Sequence, residues 1–334
     1  MNKVTQLISE KGFVLADGAI GTNLFAKGLM TGDAPELWNI EQSDKITDLH
    51  QEFVNAGSDI ILTNSFGGTS YRMKLHQLED RIVEINHSAA KIVRNVADSA
   101  DRQIIVGGSI GPTGELFAPL GALDEEGAIA AFTTQAQALA DGGADILWIE
   151  TMSSIEELQA CVRAAKTTGL PVYATMTFDT AGRTMMGIQP AELALQAKQL
   201  GLDGFGANCG IGPAELLDTV FGFTEADSDA SGVIAKGNCG IPAYDNGKIH
   251  YHGTPELMAD YACAAYRAGA QIIGGCCGTT AAHISAMHEA LSALTEKPPI
   301  SRAMAADILG EPWANIPQAP QKDATRNRRR RRGE

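Results

Sequence analysis

Three cysteines carry the most chemistry in this chain of 334 residues. Cys276 and Cys277 stand side by side in Gly274-Gly275-Cys276-Cys277-Gly278-Thr279, directly after the apolar run Ala270-Gln271-Ile272-Ile273. Cys209 ends a similar run, Gly204-Phe205-Gly206-Ala207-Asn208-Cys209. Thiolates at the ends of two buried strands make a three-sulfur site for Zn2+, with one tetrahedral position left for a small ligand. A thiol arriving there would lose its proton, because the cation favours the thiolate. Free in water, a thiol with a pKa of about 8.5 is mostly protonated at neutral pH. The pattern therefore points to activation of a sulfur nucleophile. Adjacent side chains of a regular strand face opposite ways, so Cys276 and Cys277 share one metal only if the backbone kinks, which Gly274, Gly275 and Gly278 permit. Cys161 and Cys263 sit inside helical patterns and read as small core residues.

Composition narrows the setting. Hydrophobic residues make up 44% of the chain, enough for a sizeable core. No leader-like segment or apolar run long enough to span a bilayer is evident, and six cysteines with two adjacent do not suit a disulfide scaffold. The expectation is a reduced, cytoplasmic protein with no membrane partner. Net charge is −14, and without the arginine-rich residues 326–334 the body carries about −19. Such a body argues against nucleic acid as the main partner.

The elements that must position the thiols alternate along the chain. Short apolar, β-rich runs occupy residues 13–17, 59–66, 103–108, 145–151, 172–178, 204–209, 232–238 and 270–277, as expected of strands buried on both faces. Helical patterns lie between them. One starts at Ser43, carries Ile46, Leu49, Phe53 and Val54 on one face, and stops at Asn55-Ala56-Gly57. Another starts with Ser153 as cap and Glu156 in the capping-box position. Thr254-Pro255-Glu256 opens a third, with Pro255 at its first position.

Eight strand-then-helix units predict a (β/α)8 TIM barrel over residues 1–297. A doubly wound sheet would carry a Gly-rich dinucleotide turn after its first strand, and Asp17-Gly18-Ala19-Ile20-Gly21-Thr22 lacks that spacing. The polar residues of the runs also gather at their C-terminal ends: Asp17, Asn64, Glu150, Asn208, Cys209, Asn238, Cys276 and Cys277. That is the face on which barrels assemble their chemistry. Beyond the last helix, residues 298–325 read as a C-terminal arm or linker, able to pack on a second copy of the chain. Residues 326–334 read as a disordered basic tail.

The same residues resemble a known family. Gly274 to Thr279 and Gly206-Ala207-Asn208-Cys209-Gly210 are similar to the two zinc-binding signatures of the homocysteine S-methyltransferase family. The stretches 17–22, 56–66, 107–112 and 145–151 resemble its strand motifs in order. The resemblance implies one zinc on Cys209, Cys276 and Cys277, and methyl transfer to homocysteine to give methionine. It further implies that Asp17, the Gly18 backbone and Glu150 hold the amino-acid end of homocysteine, with Asn64 helping to orient it.

Family members differ in donor: glycine betaine, S-methylmethionine, S-adenosylmethionine or a methylated cobalamin carried on other domains. The residues after the barrel are too few for a cobalamin module, though a separate corrinoid partner would serve. An onium donor wants aromatic faces, and Phe25, Trp38, Phe66, Tyr244 and Tyr251 are the candidates near the mouth. Where animal betaine enzymes have aromatics after the second strand, this chain has Gly67-Gly68-Thr69, and Thr151 replaces their tyrosine after the glutamate. Residues 236–244 and 249–252 most resemble bacterial proteins assigned to betaine, which makes glycine betaine the expected donor. Cys239 has no assigned role. Two rivals stand beside this reading. Lys236 could form a Schiff base in an aldolase-type barrel, or the thiols could close a four-ligand structural zinc site with Cys239 or His252.

Overall fold

The structure is a computed structural model that describes residues 2–240, 242–245, 248–295 and 298–314, with the side chains of 242, 244, 245 and 248–250 outside that description. Among the described residues there are ten strands: β1 (Val14–Leu15), β2 (Ile60–Leu62), β3 (Ile105–Ile110), β4 (Ile146–Met152), β5 (Val172–Met176), β6 (Gly204–Cys209), β7 (Val233–Gly237), β8 (Pro242–Asp245), β9 (Lys248–Tyr251) and β10 (Ile272–Gly275). Eight of them pair in parallel in the order β1-β10-β7-β6-β5-β4-β3-β2. A bridge between Ala16 and Ile60, with the Asp17 N–H donating to the Ile60 carbonyl at 3.1 Å, joins the two ends of that sheet. The result is the expected (β/α)8 barrel. Each of its strands falls on one of the eight apolar runs. The antiparallel hairpin β8–β9 was not foreseen; it stands at the C-terminal end of β7.

Acidic residues ahead of three strands fix their alignment from below. The carboxylates of Asp59, Asp145 and Asp203 accept from the N–H groups of Leu15, Val106 and Val172 at 2.9, 3.0 and 2.9 Å. The strands bury both faces, which explains their near-continuous apolar sequence. Inside the barrel, Val14, Ile60, Ile105, Ile146, Trp148, Tyr173, Ile234 and Ile272 form one cluster. Val4 and Leu7 of the helix Lys3–Lys11 complete it from the N-terminal end. Outside, a larger cluster lies between strands and helices. Each buried Leu, Ile or Phe there stabilises the fold by about 1.5–3 kcal/mol.

The helix over Ser43–Asn55 follows its expected apolar face and stops at Gly57, whose φ is +104°. Thr254 caps the helix Pro255–Arg267 as read, with its hydroxyl accepting from the Leu257 N–H. One cap differs. Ser154, and not Ser153, caps the helix Ile155–Lys166, and the Glu157 carboxylate is drawn away to Thr113. Past the barrel, the helix Arg302–Leu309 interrupts the segment read as an irregular arm. Arg302 pairs with Asp218 and Glu225 and lies over the Phe221 ring, so this stretch packs on its own barrel. Residues 315–325 and the arginine tail 326–334 lie outside the described residues. Among the described residues, no helix is long and apolar enough to cross a membrane.

Candidate functional site

The C-terminal ends of the barrel strands open onto a cavity of about 340 Å³. Cys209, Cys276 and Cys277 share its wall with Gly18, Asn64 and Glu150. The three Sγ atoms lie within 4.8 Å of one another, with Cys209 and Cys277 3.8 Å apart.

Backbone strain delivers the sulfurs. Cys209 ends β6 in the left-handed region, with φ +62°, a conformation that costs a non-glycine residue energy and persists only when its surroundings enforce it. β10 ends at Gly275, and Cys276 and Cys277 occupy the turn beyond it. The Thr279 N–H closes that turn on the Cys276 carbonyl at 3.1 Å, and Gly278 follows at φ +81°. The kink that the adjacent thiols require is thus a strand ending. A Cβ at Gly278 would lie 2.3 Å from the Tyr251 ring, so glycine also admits that ring against the turn.

Two asparagines hold the sulfurs' loops together. Asn238 accepts from the Cys277 N–H at 2.9 Å and donates to the Gly210 carbonyl at 2.6 Å, bridging both cysteine loops. Asn208 accepts from the Thr151 N–H and the Thr175 hydroxyl, and its amide approaches Cys276 Sγ at 3.8 Å. Within the cluster, hydrogen bonds from Cys209 and Cys276 pull the Cys277 thiol down to about 3, while hydrogen bonds with Cys276 and Cys277 push Cys209 far up.

Glu150 sits where β4 slips register against β5 between Ile149 and Met152, and Thr151 has φ +64°. This irregularity re-aims the strand end, as bulges commonly do beside active sites. The Ser109 hydroxyl donates to Glu150 Oε1 at 2.5 Å. Burial raises the Glu150 carboxyl to about 7, with the Lys236 ammonium opposing and Cys276 reinforcing the rise. Asn64 lines the cavity while its amide donates to the Pro35 carbonyl and to Asn39. Gly18 has no room for a side chain, since a Cβ would lie 2.7 Å from both Phe53 and the Thr279 carbonyl. Among the described residues its N–H has no protein acceptor.

Asp17 is placed differently from the other site residues. It is fully buried behind the cavity wall, where Oδ2 accepts from the Leu62 N–H at 2.8 Å and Oδ1 lies 3.1 Å from Lys236 Nζ. Lys236 donates to the carbonyls of Gly275 and Gly18 as well. Burial alone would lower this ammonium, but Asp17, Cys276 and Glu150 outweigh it and raise its pKa. A protonated, saturated lysine does not suit Schiff-base chemistry, which needs a free amine.

Among the aromatic candidates, Phe25 and Phe66 line the cavity. Trp38 does not: it is packed in the core, and Lys45 lies over its ring at 4.6 Å. Tyr251 is half-buried beside Gly278, and the Tyr244 side chain lies outside the described residues. Cys239 stands apart from the sulfur cluster, within contact of His283 Nε2 and the Gly253 carbonyl at 3.2 and 3.0 Å. It does not supply a fourth ligand. Ser109, Thr151 and Glu36 went unassigned from sequence. Ser109 and Thr151 had a signal, as polar residues at the C-terminal ends of β3 and β4.

A barrel with three convergent thiols at its mouth defines a class, and comparison identifies it. The sequence profile of the homocysteine S-methyltransferase family matches residues 14–291, and the chain belongs to that family. It is 32% identical over 288 residues to a methionine synthase of Mycobacterium tuberculosis, covering 81% of this chain and 24% of that protein. A methionine synthase of Mycobacterium leprae is 30% identical over the same length. The chain thus spans about a quarter of the length of these curated relatives. Among solved structures, the metallated form of the homocysteine methyltransferase MmuM from Escherichia coli superposes with a TM-score of 0.72 at 23% identity, covering 86% of this chain and 99% of that one. Its apo form gives 0.67 at 19% identity, covering 86% and 100%. At such identities the likeness speaks for the shared barrel.

Proposed function

We propose that this protein transfers a methyl group from glycine betaine to homocysteine, using one zinc ion held by Cys209, Cys276 and Cys277, to give methionine and dimethylglycine. The convergence of three thiols on one cavity with Glu150 and the Gly18 amide carries this reading. Sulfurs about 2.3 Å from a tetrahedral zinc stand about 3.8 Å apart, which is the Cys209–Cys277 separation. Zinc held there would supply a Lewis acid that keeps a substrate thiol deprotonated.

The chain's own residues supply position. Glu150, once ionised, faces the ammonium of homocysteine, and the unpaired Gly18 N–H meets its carboxylate. Asn64 presents a polar edge to the same cavity. Asp17 acts from behind, fixing Lys236, which in turn holds the carbonyl of Gly18 and that of Gly275, just ahead of Cys276. The substrate sulfur forms a bond to a methyl carbon as the carbon–nitrogen bond breaks. The bonding pair stays on nitrogen as a neutral tertiary amine, so no general acid is needed, and the enzyme's share is alignment.

Phe25 and Phe66, lining the same cavity as the thiols, support an onium donor. A second reading is favoured by the much longer methionine synthases among the relatives: the methyl group would arrive on a separate corrinoid protein. Within the proposal, residues 1–297 form the catalytic unit, 298–325 an arm and 326–334 a basic tail, working in the cytoplasm. The test is formation of dimethylglycine and methionine from betaine and homocysteine by purified, zinc-loaded protein. Equal yields support the betaine reading. Methionine from S-methylmethionine or a methyl-corrinoid, but none from betaine, overturns the donor and keeps the acceptor.

A further inference from the structure

We propose that the Glu36 carboxylate, together with the rings of Phe25 and Phe66, forms the subsite that holds the positive head of the methyl donor; this rests on the methyl-transfer reading above and names a part of the site that reading leaves open. Glu36 is 5% exposed and lines the same cavity as the thiols. The Gly67 N–H donates to its Oε1 at 2.6 Å, and among the described residues no basic side chain forms an ion pair with it. Burial raises its pKa, opposed first by its own backbone N–H and that of Gly67, and then by Arg72 and His76 from a distance. A buried carboxylate without an ion-pair partner is costly unless a cation reaches it. Here the open side is the cavity.

Two glycines make this arrangement possible. A Cβ at Gly67 would lie 2.8 Å from Glu36 Oε1, and one at Gly111 would lie 2.6 Å from the Phe66 ring. Gly67 stands where the resembled animal enzymes carry aromatic residues. Its missing side chain admits a carboxylate into the space that a ring would fill. The ligand class follows from the lining. A primary ammonium needs several acceptors, whereas a fully alkylated ammonium or sulfonium has no N–H to satisfy. It is held by an anion and by ring faces, which contribute about 0.5–2 kcal/mol each. The subsite therefore suits a small alkylated onium.

The test reads binding without turnover. Tetramethylammonium, glycine betaine and tert-butylacetate (the uncharged-head isostere of betaine) are titrated into the zinc-loaded full chain by calorimetry. The wild type is expected to bind tetramethylammonium, and to hold betaine at least about tenfold more tightly than tert-butylacetate. Glu36→Gln should erase that difference while leaving tert-butylacetate binding and zinc content unchanged. Gly67→Ala keeps the carboxylate but crowds it; it should weaken betaine selectively and serves if Glu36→Gln does not fold. No binding of tetramethylammonium by the wild type, or equal losses of betaine and isostere in the variants, overturns the subsite. Binding through Glu36 without methionine formation from betaine keeps the subsite and sinks the reaction. Turnover of betaine unimpaired by Glu36→Gln does the reverse.

Discussion

The two walls of the cavity are built by different means. The sulfur wall rests on adjacent strands β6, β7 and β10, whose backbone ladder and two asparagines fix Cys209, Cys276 and Cys277. The opposite wall, with Glu36, Asn64 and Phe66, hangs from the connections after β1 and β2 and is shaped by Gly67 and Gly111. Rings and a carboxylate there take whatever position the glycines leave. One wall is specified by strand register and the other by permitted space. On the proposed reading, activation of the acceptor would belong to the first and choice of donor to the second.

That division can be broken experimentally. Cys277→Ser is expected to have the largest effect, lowering zinc affinity and methionine formation more than the roughly 10–100-fold typical of residues that only orient a ligand. Metal analysis and turnover together check it, and loss of donor binding in the same variant would argue against separate walls. Gly278→Ala comes next. Its φ of +81° and the contact with Tyr251 predict a loss of about 1–3 kcal/mol of stability, read by denaturant unfolding, with weakened zinc retention.

A smaller effect is expected from pH. The Glu150 carboxyl, raised to about 7 by burial, binds an ammonium only when ionised. The KM for homocysteine should therefore rise about tenfold from pH 8 to pH 6, as protonation removes the charge. Glu150→Gln should flatten that profile at the high, low-pH value. A profile unchanged in the variant would remove Glu150 from the ammonium site. The smallest effect is predicted for Trp38→Phe. With its ring covered by Lys45 and outside the cavity, donor KM should change less than about twofold, and the cost of a smaller buried ring and a weaker cation–π contact should fall on stability, read by denaturant unfolding.

The sulfur wall was also the more legible in sequence. Apolar runs announce strands buried on both faces, and residues at their C-terminal ends announce the mouth, so Cys209, Cys276, Cys277 and Glu150 were placed together. What the runs do not encode is which charged groups meet across the barrel. Asp17 was read as a substrate contact, yet Lys236, more than two hundred positions later, lies against it inside the barrel. Trp38 looked available to a donor, but its exposure depends on packing that no local pattern records. Glu36 drew no attention because a carboxylate beside a proline in a loop looks like any solvated acid. Its significance lies in the glycine across from it.

The place of β10 as the last barrel strand in the chain has a consequence for biosynthesis. During translation Cys209 emerges 68 residues ahead of Cys277, and the strand that carries Cys276 and Cys277 to the mouth is the last of the barrel to be made. A nascent chain therefore exposes one sulfur of the trio for much of its time on the ribosome, and a truncated product lacking β10 never gathers all three. On the proposed zinc reading, all three thiolates come together only after the final stave is in place, so zinc retention would report that the whole barrel has been synthesised and closed.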